Sequence, residues 1–210
     1  MAKQVNPWLA VPLEDYEDHM RQERVAQLGE LAALFQRALE LRRPESVAVL
    51  GIAGGNGLEH VDPAVTRRIL GLDVNPRYLA ETARRSAGIQ GLELRCIDLA
   101  EAPCEAEPVQ LVHAALIFEH AGLGRCLENA LALAAPGGSL SVVLQLPSET
   151  EMGVGDTGCA SIGALRAGFQ LIDPKVFRRL VESRGFRLAH EDIAPVASGK
   201  AFWFAVFDRT

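Results

Sequence analysis

The sequence predicts an α/β domain built on a doubly wound, seven-stranded sheet, mostly parallel and ending in an antiparallel hairpin. Three observations carry this. Short apolar runs alternate with helical stretches from residue 46 onward, the pattern of a parallel sheet with helices on both faces. The first run, 47–50, enters Gly51, Gly54, Gly55 and Gly57 directly. A strand buried on both faces and followed by a glycine turn lets backbone approach a ligand closely, because no Cβ intervenes. The last two runs, 186–193 and 201–207, are joined by Val196-Ala197-Ser198-Gly199-Lys200. That connection is too short for a parallel crossover, so the two strands pair antiparallel.

The elements follow in order. Pro7 and Pro12 punctuate the opening, and Glu14, Asp15, Glu17 and Asp18 form an acidic patch. Val25, Leu28, Leu31, Leu34, Phe35 and Leu39 then recur at helical spacing, and Pro44 ends that helix. Residues 1–43 therefore read as an N-terminal helical extension or cap, and 44–210 as the main unit of a single domain. Trp8, Tyr16 and His19 are candidates for a lid over a ligand site. After the glycine turn come a short helical segment at 58–61 and a second strand at 68–72, ending in Asp73. Asn75-Pro76 suits a helix start, the Asn as cap and the Pro in the first turn. That helix runs to about residue 87, with Gly88 as its stop.

Strand three covers 92–97 and ends in Asp98. Strand four covers 109–116, with an exit loop at 117–122 and a helix at 123–134. Ala135-Pro136-Gly137-Gly138 forms a turn before strand five at 140–146. Residues 147–170 are rich in glycine and serine without periodicity, a kind of segment that is usually functional or mobile. Asp173-Pro174 caps the next helix, which ends at Gly185.

Composition narrows the function classes. The chain has 210 residues, 49% hydrophobic and 23% charged, enough apolar content for a sizeable core. Its net charge of −6 argues against a nucleic-acid partner, which needs Lys and Arg clusters. Arg67-Arg68, Arg84-Arg85 and Arg178-Arg179 read as solvated element ends. Cys96, Cys104, Cys126 and Cys159 show no CxxC or zinc spacing, so no metal is expected, and Cys96 and Cys126 read as buried thiols. No apolar run approaches the ~20 residues of a membrane span. The expectation is a soluble, cytoplasmic protein.

Two acids end consecutive strands, Asp73 and Asp98. Ligands of such sheets bind outside the carboxyl ends of the strands. An acid about 20 residues beyond a glycine turn can accept ribose hydroxyls. Asp98 could accept from an exocyclic amine such as that of adenine.

At this point the chain resembles the class I S-adenosylmethionine-dependent methyltransferases, whose fold is Rossmann-like. The resemblance spans roughly 46–207. It rests on GIAGGNG after strand one, GLDVNPRYL at strand two, CIDLAE at strand three, LIFEHAGL after strand four, APGGSLSVVL at strand five, and the terminal hairpin. The opening NPWLAVPLEDYEDHM looks like that of some small bacterial members. The resemblance implies S-adenosylmethionine as cofactor and a small-molecule acceptor. It places Gly51, Ala53 and Gly55 at the methionine and ribose, and Asp73 at the ribose hydroxyls. Val74 stands against adenine, Asp98 and Leu99 at the adenine edge, and Ala115 and Leu116 beside the sulfonium. Ala53 replaces the middle glycine. Val49 stands where many members carry an acid that orients the methionine end, and Gln110 replaces an acid at the start of strand four.

Methyl transfer from a sulfonium is a direct displacement, so alignment can carry most of the catalysis. A base is needed only for an acceptor of high pKa. His120 is the candidate base and Glu119 a second, each also readable as a packed residue. His60, His113 and His190 read as structural or exposed, with His113 a satisfied core histidine. Phe118 and Phe169 could line an acceptor pocket walled by 8–20 and 147–170. Two other readings stay open: a nicotinamide-dependent oxidoreductase, which the GxxGxxG spacing fits poorly, and a non-catalytic cofactor-binding partner subunit.

Overall fold

The computed structural model describes residues 6–23, 25–148 and 158–210. Seven strands form one sheet: β1 (Ser46–Leu50), β2 (Arg68–Asp73), β3 (Leu92–Cys96), β4 (Val109–Ala115), β5 (Ala134–Gln145), β6 (Phe186–Pro195) and β7 (Ala201–Arg209). Their spatial order is β3-β2-β1-β4-β5-β7-β6. The β3-β2-β1-β4-β5 neighbours pair in parallel, whereas β7 runs antiparallel to both β5 and β6. The order reverses between β1 and β4, which creates the crevice where ligands of open α/β sheets bind.

The helices are α1 (Leu13–Arg21), α2 (Leu28–Arg42), α3 (Pro76–Arg85), α4 (Phe118–Ala121), α5 (Arg125–Leu133), α6 (Ala160–Gly163) and α7 (Pro174–Glu182). Asn75 caps α3 by accepting from the Arg77 N–H at 3.0 Å, and Asp173 caps α7 at Lys175 N–H, 2.7 Å. Both helices place proline next, where its missing N–H costs nothing. Arg43 ends α2 in the left-handed conformation just ahead of Pro44.

Each sheet face carries its own core. One buries Leu70, Leu72, Val112, Leu140, Phe177 and Phe207; the other buries α2 residues such as Leu34 and Phe35 against Val47, Ile69, Leu111 and Phe204. The α2 helix thus shares a core with the central strands. Val49 is buried in that second core.

Several expectations need correction. Residues 13–21 form helix α1, with Leu13, Glu17 and Met20 on its buried face; the acidic run had masked that spacing. The exit of β4 contains helix α4 rather than a loop. Residues 134–138 belong to β5, because Ala134 pairs with Val109. Cys96 is exposed, since β3 is an edge strand, whereas Cys126 is buried as expected. Within 147–170, residues 160–163 and 166–168 are helical, and 149–157 lie outside the described residues. Phe118 is core, packed on Phe177 with ring centroids 5.3 Å apart.

Candidate functional site

The glycine turn after β1 is followed by a single short turn of helix at Leu58–His60. Gly51, Ala53, Gly55 and Gly57 all have positive φ. Ala53 is the one non-glycine among them, and holding it there is unfavourable for an L-residue. The structure braces it on both sides. Its N–H donates to Asp73 Oδ2 at 2.9 Å, and its carbonyl accepts from Thr82 Oγ1 at 2.6 Å. Asp73 is therefore part of the turn as well as the end of β2. Its other oxygen accepts from Asn75 N–H at 2.8 Å. Burial raises the Asp73 carboxyl above its usual range, against the backbone N–H groups of Asn75, Ala53 and Val74 that stabilise the anion.

Gly54 is held from outside. A Cβ there would stand 2.8 Å from Arg85 Nη1 and collide with Glu17 Oε1. Glu17 of α1 pairs with Arg85 of α3 and with Arg21 at 3.1 Å. An acid thus does lie against the turn, but it comes from α1, not from position 49.

Asp98 sits two residues beyond β3. Its Oδ1 accepts from Ala100 N–H at 3.0 Å and its Oδ2 from Asn6 Nδ2 at 2.9 Å. Leu99 is buried beside it, while Val74 is half-buried. At the end of β4, Ala115 and Leu116 are half-buried, and Leu116 takes a positive φ of 55°. Such strain in a non-glycine residue clusters at functional sites. The predicted donor residues thus gather at the carboxyl ends of β1, β2, β3 and β4.

The N-terminal segment crosses these strand ends. Asn75 Nδ2 donates to the Trp8 carbonyl at 2.9 Å. The Trp8 ring meets Tyr16 and His120 edge-on, at 5.7 and 4.9 Å between centroids, and Tyr16 stacks on Tyr78 at 6.4 Å. Burial and the nearby Asp73 raise the phenols of Tyr16 and Tyr78 above their ordinary value. The Tyr78 hydroxyl is buried without a hydrogen-bond partner. His19 is buried in α1. Sequence reasoning named Trp8 and Tyr16 but missed Asn6, Glu17 and Tyr78. One cavity of about 300 Å³ lies between Gly54, Gly55 and Arg85, and another of about 300 Å³ between Phe118 and Val176.

His120 lies between Trp8 and Phe169, the latter at 5.1 Å. Burial pulls its imidazole down to about 4, so the ring is neutral at pH 7. Glu119 is 1% exposed. Its Oε1 accepts from Gln145 N–H at 2.8 Å, and its Oε2 has no hydrogen-bond partner. Burial pushes this carboxyl up to about 7. His113 is the satisfied core histidine foreseen, its Nδ1 3.1 Å from Ser141 Oγ. Gln110 Oε1 accepts from Glu45 N–H at 2.6 Å, a structural contact remote from the crevice. Among the described residues, no cluster of His, Cys, Asp and Glu is arranged to hold a metal, and no helix is long and apolar enough to cross a membrane.

Residues 49–142 match the family model described as a methyltransferase domain. A comparison with curated proteins gave no match. Among solved structures, the chain is similar to the N-methyltransferase NodS from Bradyrhizobium japonicum WM9 in complex with S-adenosyl-L-homocysteine. Identity is 17%, the TM-score 0.63, and coverage 99% of this chain and 93% of that one. It is also similar to magnesium protoporphyrin IX methyltransferase from Synechocystis PCC 6803, at 14% identity, TM-score 0.68, and 93% and 87% coverage. A further similar structure is the cyclase SpnF, at 14% identity, TM-score 0.65, and 86% and 80% coverage. These structural likenesses concern the fold; the family model adds the domain type. With its sheet order and inserted antiparallel strand, the chain has the fold of these methyltransferase structures, and its residues 49–142 match a methyltransferase domain.

Proposed function

We propose that this protein transfers a methyl group from S-adenosylmethionine to a small-molecule acceptor, with the donor held by Gly51, Ala53, Gly55, Asp73, Val74, Asp98, Leu99, Ala115 and Leu116. The observation that carries the reading is the joining of Asp73 to the turn through the Ala53 N–H at 2.9 Å. It ties a ribose-binding acid and a methionine-binding turn into one preorganised unit. The residues present fit such a donor. Asp98 already accepts from the amide nitrogen of Asn6, so it can serve an exocyclic amine. A carboxylate has about four acceptor sites, so Asp73 keeps capacity for a ribose hydroxyl beyond its three backbone N–H groups.

When bound, the donor supplies a methyl group already activated by its sulfonium. The chain's own part is to bind, align and exclude water. The half-buried Ala115 and Leu116 at the end of β4 wall off the reacting end. His120 is the proposed base. As a neutral imidazole it can accept a hydrogen bond from the acceptor nucleophile, but its low pKa makes it a weak proton acceptor. Orientation is therefore its larger contribution. The net charge of −6 favours an acceptor that is not a polyanion.

Calorimetry with S-adenosylhomocysteine tests the assignment. Asp73→Ala removes a ribose hydrogen bond of about 1 kcal/mol, so affinity should fall about fivefold. Unchanged affinity, or binding of NAD(H) instead, would refute the reading.

A further inference from the structure

The segment that crosses the crevice is shallowly seated, with Trp8 half-buried against the Val11, Ile162 and Leu165 cluster. Residues 7–10 form one 3-10 turn with no buried residue, and Leu9 is exposed. From Val11 onward the chain is anchored. Val11 packs with Ile162 and Leu165, Asp15 Oδ2 accepts from Ser161 Oγ at 2.6 Å, and Glu17 pairs with Arg85. Between these regimes, Asn6 to Trp8 bridge the strand exits. The Asn6 amide meets Asp98 beyond β3, the Trp8 carbonyl meets Asn75 beyond β2, and the Trp8 ring meets His120 beyond β4. Asn6 also accepts from Trp8 N–H at 3.1 Å through its Oδ1, which fixes the amide so that its NH₂ faces Asp98.

We infer that Asn6 to Ala10 form a displaceable strap that competes with the donor, the Asn6 NH₂ standing on Asp98 where the adenine exocyclic amine would otherwise donate. This rests on the donor site proposed above. Both groups are planar NH₂ donors and require the same acceptor. Ala100 N–H meets Oδ1 of Asp98, so Oδ2 is the oxygen that both the Asn6 amide and the exocyclic amine would approach. The donor binds only the open form, and its apparent affinity is reduced by the fraction of chains that are open. The hinge falls at Ala10 to Val11, where burial begins.

The test uses the full chain and S-adenosylhomocysteine. Asn6→Ala removes the competing donor while leaving the anchors of α1 intact. Its affinity by calorimetry should rise about fivefold or more, the value of one lost competing hydrogen bond. Trp8 and Trp203 are the only two tryptophans, and Trp203 is buried in the core, so the emission lost in Trp8→Phe isolates the strap. Ligand binding should shift Trp8 emission in the wild type, and Asn6→Ala should show the shifted emission without ligand. Weaker binding by Asn6→Ala would make Asn6 a donor contact and overturn the strap. Equal binding with unchanged emission would overturn it too, leaving the donor site standing. Binding by neither protein would remove the donor site and the strap together.

Discussion

Glu119 makes stability depend on pH in a direction opposite to that of most carboxylates. Its folded-state value is pushed from 4.5 to about 7 by burial, with one oxygen unpartnered. The folded protein therefore holds a proton that the unfolded chain releases. The stability this contributes is fully present below pH 4.5 and is lost as pH rises through 7. Using these two values, ionisation of Glu119 in place costs about 1 kcal/mol at pH 5 and about 3 kcal/mol at pH 8. Glu119→Gln cannot ionise, and its amide oxygen can keep the bond from Gln145 N–H. The variant carries a constant penalty for a buried NH₂ without a partner, about 1–3 kcal/mol at every pH. Urea unfolding of both proteins at pH 5 and pH 8 separates the terms. The stability of the variant relative to the wild type should rise by about 2 kcal/mol between the two pH values, while all other titrations cancel in the difference. With a urea slope near ~2 kcal/mol per M, that is a relative midpoint shift of about 1 M. A difference that does not change with pH would refute the reasoning, because Glu119 would then titrate like an exposed carboxylate.

Two further substitutions probe the turn. Gly54→Ala places a methyl against Glu17 Oε1 and Arg85 Nη1, so it should separate the pair and destabilise the chain by about 1–3 kcal/mol in chemical denaturation; Glu17→Ala made first should relieve most of that cost. Ala53→Gly relieves a left-handed alanine at φ 47° and should stabilise the protein by up to about 1 kcal/mol, visible as a higher thermal midpoint.

The sheet was legible because its signals are local. The apolar run 47–50, the Asn75-Pro76 and Asp173-Pro174 caps and the short link before β7 each report on their own neighbourhood. Asp73 was legible for the same reason, as the last residue of β2, whereas Asp98, read as the end of strand three, stands two residues beyond β3. What stayed hidden depends on pairs far apart in sequence. Asn6 meets Asp98 across 92 residues and Glu17 meets Arg85 across 68. Nothing in a run of acids says that one of them will be buried against a glycine. The α1 helix had one usable signal, Leu13, Glu17 and Met20 at helical spacing, but a charged residue on the buried face disguised it. Cys96 was misread because edge and interior strands of a parallel sheet differ by topology, which composition does not carry.

The absence of an acid at Val49 also changes how the site is held together. Here Val49 is spent on the α2 core, and the turn is fixed by Asp73 and Thr82 at Ala53 and by the Glu17–Arg85 pair at Gly54. Of these braces only Glu17 comes from the N-terminal extension. The proposed strap precedes the same helix, α1, so the helix that braces Gly54 also anchors the segment lying over Asp98. The two places are thereby linked through α1. A change that loosens Glu17 should disturb both the turn and the seating of Asn6 on Asp98, whereas a change at Asn6 should leave the turn untouched. This asymmetry follows from burial: α1 buries Leu13, Glu17, His19 and Met20, and residues 7–10 bury none.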